Sequence, residues 1–117
     1  MAAVGCLHGE LDAVYRAYAD AQCGRATDLV LICGDVQASR DARDLASMSV
    51  ATFRRRFGDF QAYHDGRKRA PVLTLVVGGN HEASLHFWDL YHGGWLAPNI
   101  FYLGTAAVVR CRGLRFA

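Results

Sequence analysis

The sequence predicts an α/β fold, and three observations carry the prediction. Apolar runs of strand length alternate with segments of helical periodicity. The two longest runs, 28–35 and 71–78, are continuously apolar rather than alternating, as in strands buried on both faces of a parallel sheet. Both runs close on glycine followed by polar side chains: Gly34-Asp35 after one, Gly78-Gly79-Asn80-His81-Glu82 after the other.

Taken in order, Met1–Cys6 is a short apolar segment that reads as a first strand, ending in Gly5-Cys6-Leu7-His8-Gly9. Over Glu10–Gln22, Leu11, Val14, Tyr15, Tyr18 and Ala21 share one face, the pattern of an amphipathic helix. Asp28–Asp35 is the second strand, and 36–50 is polar and irregular. Phe53, Phe57, Phe60 and Tyr63 recur at helical spacing and predict a second helix over 49–64, with the phenylalanines in the core. After a turn at His64–Arg69, Pro71–Gly78 is the third strand. A short helix is expected over 83–92 and a loop over Gly93–Asn99. Ile100–Leu103 and Ala106–Arg110 read as a strand pair joined through Gly104. Leu114–Ala117 begins a strand with little to pair with, so the chain is expected to be the N-terminal portion of a longer protein, with 1–117 as one partial domain.

At 117 residues the chain has the size of one small domain. Its 52% hydrophobic content and two prolines argue against disorder. No apolar run reaches the ~20 residues of a membrane helix, and no basic stretch introduces a secretory signal. The net charge of +2 implies no strong partner by itself, although twelve arginines against one lysine suit phosphate ligands. Four cysteines without a CxxC pair point to a reduced, intracellular compartment; Cys23, Cys33 and Cys111 read as ordinary thiols.

The chemistry concentrates after the strands. Cys6 and His8, Asp35, and Asn80-His81-Glu82 each follow an apolar run beside glycine. In open α/β sheets the ligand site lies outside the carboxyl ends of the strands, so parallel neighbours would bring these clusters together. Thiolate, imidazole, carboxylate and amide oxygen are all metal donors, and the first two favour zinc or iron over magnesium. Such an ion could clamp a phosphate and lower the pKa of a bound water, with His81 as general acid. Glu82 could orient His81 or simply favour the start of the next helix; the sequence leaves both open.

These residues resemble a known family. Gly34-Asp35 followed by Gly79-Asn80-His81-Glu82 after a buried strand is similar to the calcineurin-like metallophosphoesterases, which usually begin Asp-x-His where this chain has Cys6-Leu7-His8. That cysteine form, with Cys33-Gly-Asp-Val-Gln-Ala38, Gly78-Gly-Asn-His-Glu-Ala-Ser84 and the stretch from Gly93 to Gly104, resembles the RNA lariat debranching enzymes. The resemblance implies the N-terminal part of a metallophosphoesterase β-sandwich flanked by helices. It implies Cys6, His8, Asp35 and Asn80 as ligands of divalent zinc, iron or manganese, and His81 as the acid on a leaving 2′-oxygen. It further implies hydrolysis of the 2′–5′ phosphodiester of branched, lariat RNA in the nucleus, with no membrane partner. The family's later histidines and its RNA-recognition loop have no counterpart before Ala117, so activity of this chain alone is not expected.

Two other functions compete. One is another metallophosphoesterase, a phosphatase or nuclease, against which Cys6 and the Gly93–Gly104 segment argue. The other is a non-catalytic truncated product lacking downstream ligands. Arg54-Arg55-Arg56 and Arg67-Lys68-Arg69 are candidates for RNA phosphates. Successive residues on a helix spread around its axis, however, which favours a solvated face for them. Trp88 and Trp95 carry no assignment.

Overall fold

The apolar runs pair as parallel neighbours. The computed structural model describes residues 1–21, 29–111 and 113–117. Among them β1 (Ala2–Val4), α1 (Leu11–Ala21), β2 (Val30–Cys33), α2 (Ala42–Ala46), α3 (Phe60–His64), β3 (Thr74–Val77), α4 (Ser84–Asp89), β4 (Gly94–Ala97) and β5 (Ile100–Tyr102) follow in order, then β6 (Val109–Cys111) and β7 (Leu114–Phe116). A five-stranded sheet has the order β1-β2-β3-β5-β4, parallel except for β4. The end of the predicted first helix at Gln22, the start of the second strand at Asp28, and Cys23 lie outside the described residues.

Register explains the core. Val30, Thr74 and Ile100 stand side by side, as do Ile32, Val76 and Tyr102, and all six are buried. The helices cover this face with Leu11, Tyr15, Phe60, Tyr63 and Phe87. Thr74, buried in these rows, shares a 2.9 Å hydrogen bond with the Tyr15 hydroxyl. Burial there pushes the Tyr15 phenol up to about 12. The opposite face differs from the expectation of strands buried on both sides. Cys33 and Val77, at the strand ends, are exposed and Leu31 is half-buried, whereas Leu75 beside it is buried.

Other departures have local causes. The helix expected over 49–64 is broken: a 3₁₀ turn covers Thr52–Arg54 and a helix resumes only at α3. Of the four aromatics that suggested it, Phe60 and Tyr63 are buried, whereas Phe53 and Phe57 are exposed. The break falls where the chain docks on the start of α1. A Cβ on Gly58 would stand 2.4 Å from the Gly9 carbonyl oxygen. The next residue, Asp59, spends its carboxylate on the N–H groups of Leu11 and Asp12, at 2.9 and 2.6 Å. A residue 48 positions away thus caps α1, satisfying donors that a helix start leaves open.

The loop expected at Gly93–Asn99 contains β4, antiparallel to β5 with an irregularity between Trp95 and Ala97. The strand after Gly104 does not fold back on β5, whose two edges are already taken by β3 and β4. β6 pairs instead with β7, which gives the last strand a partner. Within the irregular 36–50 segment, Asp41 caps the short α2 by accepting from the N–H groups of Arg43 and Asp44.

Gly58→Ala should cost about 1–3 kcal/mol, because backbone rather than a flexible side chain blocks the new Cβ. A urea midpoint that falls at unchanged slope is the expected reading. Asp12 makes a second check. Its carboxylate accepts from Lys68 and, at 2.7 Å, from the Tyr63 hydroxyl. These partners hold its pKa below the ordinary value of 3.8. Their contribution is therefore complete above that value and lost as pH falls through the lowered, folded-state pKa. Asp12→Asn should lower stability at neutral pH and flatten the acid limb of a plot of urea midpoint against pH.

Candidate metal centre

The first three strands deliver their carboxyl ends to one sheet edge, and the polar clusters arrive with them. Beyond β1 the chain stays beside β2, through Cys6 N–H to the Gly34 carbonyl at 3.1 Å and His8 N–H to the Asp35 carbonyl at 2.7 Å. Cys6, His8 and Asp35 thereby bring one donor atom each to within 4.8 Å of one another. Cys6 and His8 are exposed, whereas Asp35 is buried at the floor. The His8 Nε2 lies 3.7 Å from Asp35 Oδ2.

Backbone strain marks the same place. Cys6, His8, Asp35 and Gln37 all hold positive φ, between 49° and 57°. Each such non-glycine residue costs about 1 kcal/mol or more, and such strain collects where side chains must be aimed.

His81 reaches the group from the β3 edge. Its N–H donates to Asp35 Oδ1 at 3.0 Å, and its Nδ1 lies 3.4 Å from Asp35 Oδ2. That Nδ1 is buried without a hydrogen-bond partner. The imidazoles of His8 and His81 face one another with centroids 5.5 Å apart. Asn80 sits in the turn just before His81 at the same edge, with an exposed side chain.

Two close approaches hold the floor together. A Cβ on Gly79 would lie 2.1 Å from Asp35 Oδ1, so only glycine lets this loop close over the carboxylate. Glu82 then ties the two loops. Its Oε1 accepts from Val36 N–H at 2.9 Å and Gly79 N–H at 3.2 Å, and its Oε2 accepts from Gln37 N–H at 2.8 Å. Burial pushes the Glu82 carboxyl up, and the three backbone donors pull it back. Glu82 thus neither orients His81 nor serves chiefly the next helix, the two readings open from sequence; it clasps the strand ends.

Sequence reasoning missed Gln37 and the close approach of Gly79. Gln37 is buried and its side-chain amide lies 3.2 Å from His8 Nδ1. It is the amide Nε2 that stands against His8 Nδ1; a cation on His8 Nε2 would require the proton on Nδ1, and the amide would then have to turn so that its oxygen accepts. The doubled glycine at 78–79 was the available signal for a tight approach; nothing in the spacing pointed to Gln37. Arg54, Arg55 and Arg56, expected on a solvated face, line one cavity of about 520 Å³ together with His8 and His81.

Donor chemistry supports a metal ion here. A thiolate, an imidazole and a carboxylate converge, a set that suits a borderline or soft divalent cation. The family comparison now decides the fold's identity: the model of the calcineurin-like phosphoesterases matches residues 1–114. The chain belongs to this family. The phosphoesterase chain is also 51% identical to the lariat debranching enzyme of Homo sapiens, over 98% of its own length. It is 50% identical to that of Mus musculus over 98%, and 44% identical to that of Arabidopsis thaliana over 95%. It spans only 22%, 21% and 27% of those relatives.

Gly79→Ala should weaken divalent-metal affinity at least tenfold by displacing Asp35, with far-UV circular dichroism unchanged. Gly78→Ala, whose Cβ would meet Phe87 at an ordinary 3.5 Å, should bind metal like the parent. Competitive titration against a chromogenic chelator distinguishes the two.

Proposed function

We propose that this chain supplies metal-binding and acid groups to a phosphodiesterase that opens the 2′–5′ linkage at the branch of lariat RNA. The observation that carries the reading is the convergence of Cys6, His8 and Asp35 beneath His81. The cysteine stands where the family usually has aspartate, and lariat debranching enzymes of Homo sapiens and Arabidopsis thaliana resemble the chain over 98% and 95% of its length. Cys6, His8, Asp35 and Asn80 would hold the ion, of zinc, iron or manganese. When bound, it would supply electrophilic activation of the phosphate and a low-pKa water.

The chain's own residues do the rest. Asp35 Oδ2, beside His81 Nδ1, favours a proton on that nitrogen and orients the ring. Nε2 would then deliver a proton to the departing 2′-oxygen, so that the leaving group departs as an alcohol. Gln37 holds His8 from behind. Because intron lariats arise in the nucleus, the reading places the protein there.

The test uses the protein at the full length of its relatives, with a 2′–5′ branched RNA and a linear 3′–5′ RNA of equal size. Cleavage of the branched substrate alone is expected; equal cleavage of both would favour a general nuclease. His81→Ala should lower the rate at least a hundredfold and keep the metal content. Metal lost in parallel with rate would make His81 a ligand and end the acid assignment.

A further inference from the structure

The cavity beside the metal centre has a second wall that the reaction described above does not use. It is built by the broken segment Val50–Arg56, opposite His8 and His81. A continuous helix would scatter three successive side chains around its axis. The 3₁₀ turn Thr52–Arg54 and the extended Arg55 instead set all three arginines along one cavity.

The three differ in what occupies them. Arg55 is half-buried and its Nε donates to the Val50 carbonyl at 3.2 Å, which holds the segment in its bend. Arg56 reaches Glu10 only at 3.9 Å, between two exposed side chains, a contact worth little. Arg54 has no ion pair among the described residues; its guanidinium lies 5.5 Å from the centroid of the Phe53 ring. Phe53 is 85% exposed at this wall, a large apolar ring with that guanidinium beside it. No acidic side chain lines the cavity among the described residues. Elsewhere Arg40, Arg67 and Lys68 are matched to Asp44, Asp65 and Asp12. Unmatched cations held together repel one another, and a polyanion in the cavity relieves that repulsion.

The geometry points to Arg54 and Arg56 as a seat for a backbone phosphate of RNA next to the scissile one, with Phe53 as the ring on which an adjoining base stacks. This rests on the RNA reading above and adds the residues that grip the strand. A volume of about 520 Å³ is of the order of a nucleotide site, far larger than an ion and its waters need. Guanidinium forks match phosphate oxygens, and an exposed ring accepts any base.

The experiment measures affinity, in the protein at the full length of its relatives, for a branched RNA whose 2′–5′ linkage is a non-hydrolysable phosphonate. Titrations across a range of salt give Kd and the slope of log affinity against log salt. The variants are Arg54→Gln with Arg56→Gln, Phe53→Ala, and Arg67→Gln as a cation outside the cavity. The arginine pair should raise Kd about tenfold near physiological salt and reduce the slope magnitude by about 0.7, the share of one single-strand phosphate. Phe53→Ala should raise Kd roughly fivefold or more with the slope unchanged. Arg67→Gln should change neither.

A parental slope in the arginine pair, or an equal loss in Arg67→Gln, overturns the phosphate seat. A parental Kd in Phe53→Ala overturns the stacking role. If the parent protein cleaves no branched RNA, yet the arginine pair still flattens the slope, the debranching reading fails while the seat for an RNA phosphate stands.

Discussion

The centre depends on one buried carboxylate. Glu82 is 5% exposed and accepts three backbone N–H bonds from two loops, Val36–Gln37 and Gly79. Burying a carboxylate is costly on its own, but bonds to a charged acceptor contribute roughly 1.5–3 kcal/mol each and offset the cost. The result is a clasp between the ends of β2 and β3. Asp35 lies inside it, with Gly79 closed against its oxygen and His81 N–H donating to it. Without the clasp the loop that carries Asp35 and the loop that carries His81 would lose the side chain that ties them together.

The clasp also bears strain. Four non-glycine residues of the site sit in the left-handed region, at a combined cost on the order of several kcal/mol. No single local contact would hold them there. They persist because the parallel ladder of β1, β2 and β3 continues past the strands, through the bonds from Cys6 and His8 to the Gly34 and Asp35 carbonyls. The sheet fixes the loops, and the loops present ligands that relaxed backbone would point elsewhere.

A second junction serves the other side of the cavity. Gly9 and Gly58 meet backbone to backbone, and Asp59 caps α1 from across the fold. This contact anchors the loop that carries Cys6 and His8. It also ends the bent segment that carries Arg54–Arg56. One packing event therefore positions both a metal-facing loop and a cationic wall, which is why the break in the expected helix matters to function.

Much of this was legible in the residues. Continuous apolar runs closing on glycine identified β2 and β3, and the polar residues after them identified Cys6, His8, Asp35 and His81 as neighbours at one edge, since parallel strands end together. The periodicity of Leu11, Val14, Tyr15 and Tyr18 was enough to find α1. Local pattern failed where long-range contacts overrode it: at Phe53 and Phe57, where Gly58 and Asp59 are claimed by α1; at β4, whose pairing with β5 gives strand form to a glycine-rich loop; and after Gly104, where both edges of β5 were taken. The roles of Glu82, Gln37 and the arginines were likewise decided by tertiary structure. Sequence spacing determines which way neighbours on one element point, whereas a clasp, a cavity wall or a cap from 48 residues away exists only once separate elements have packed.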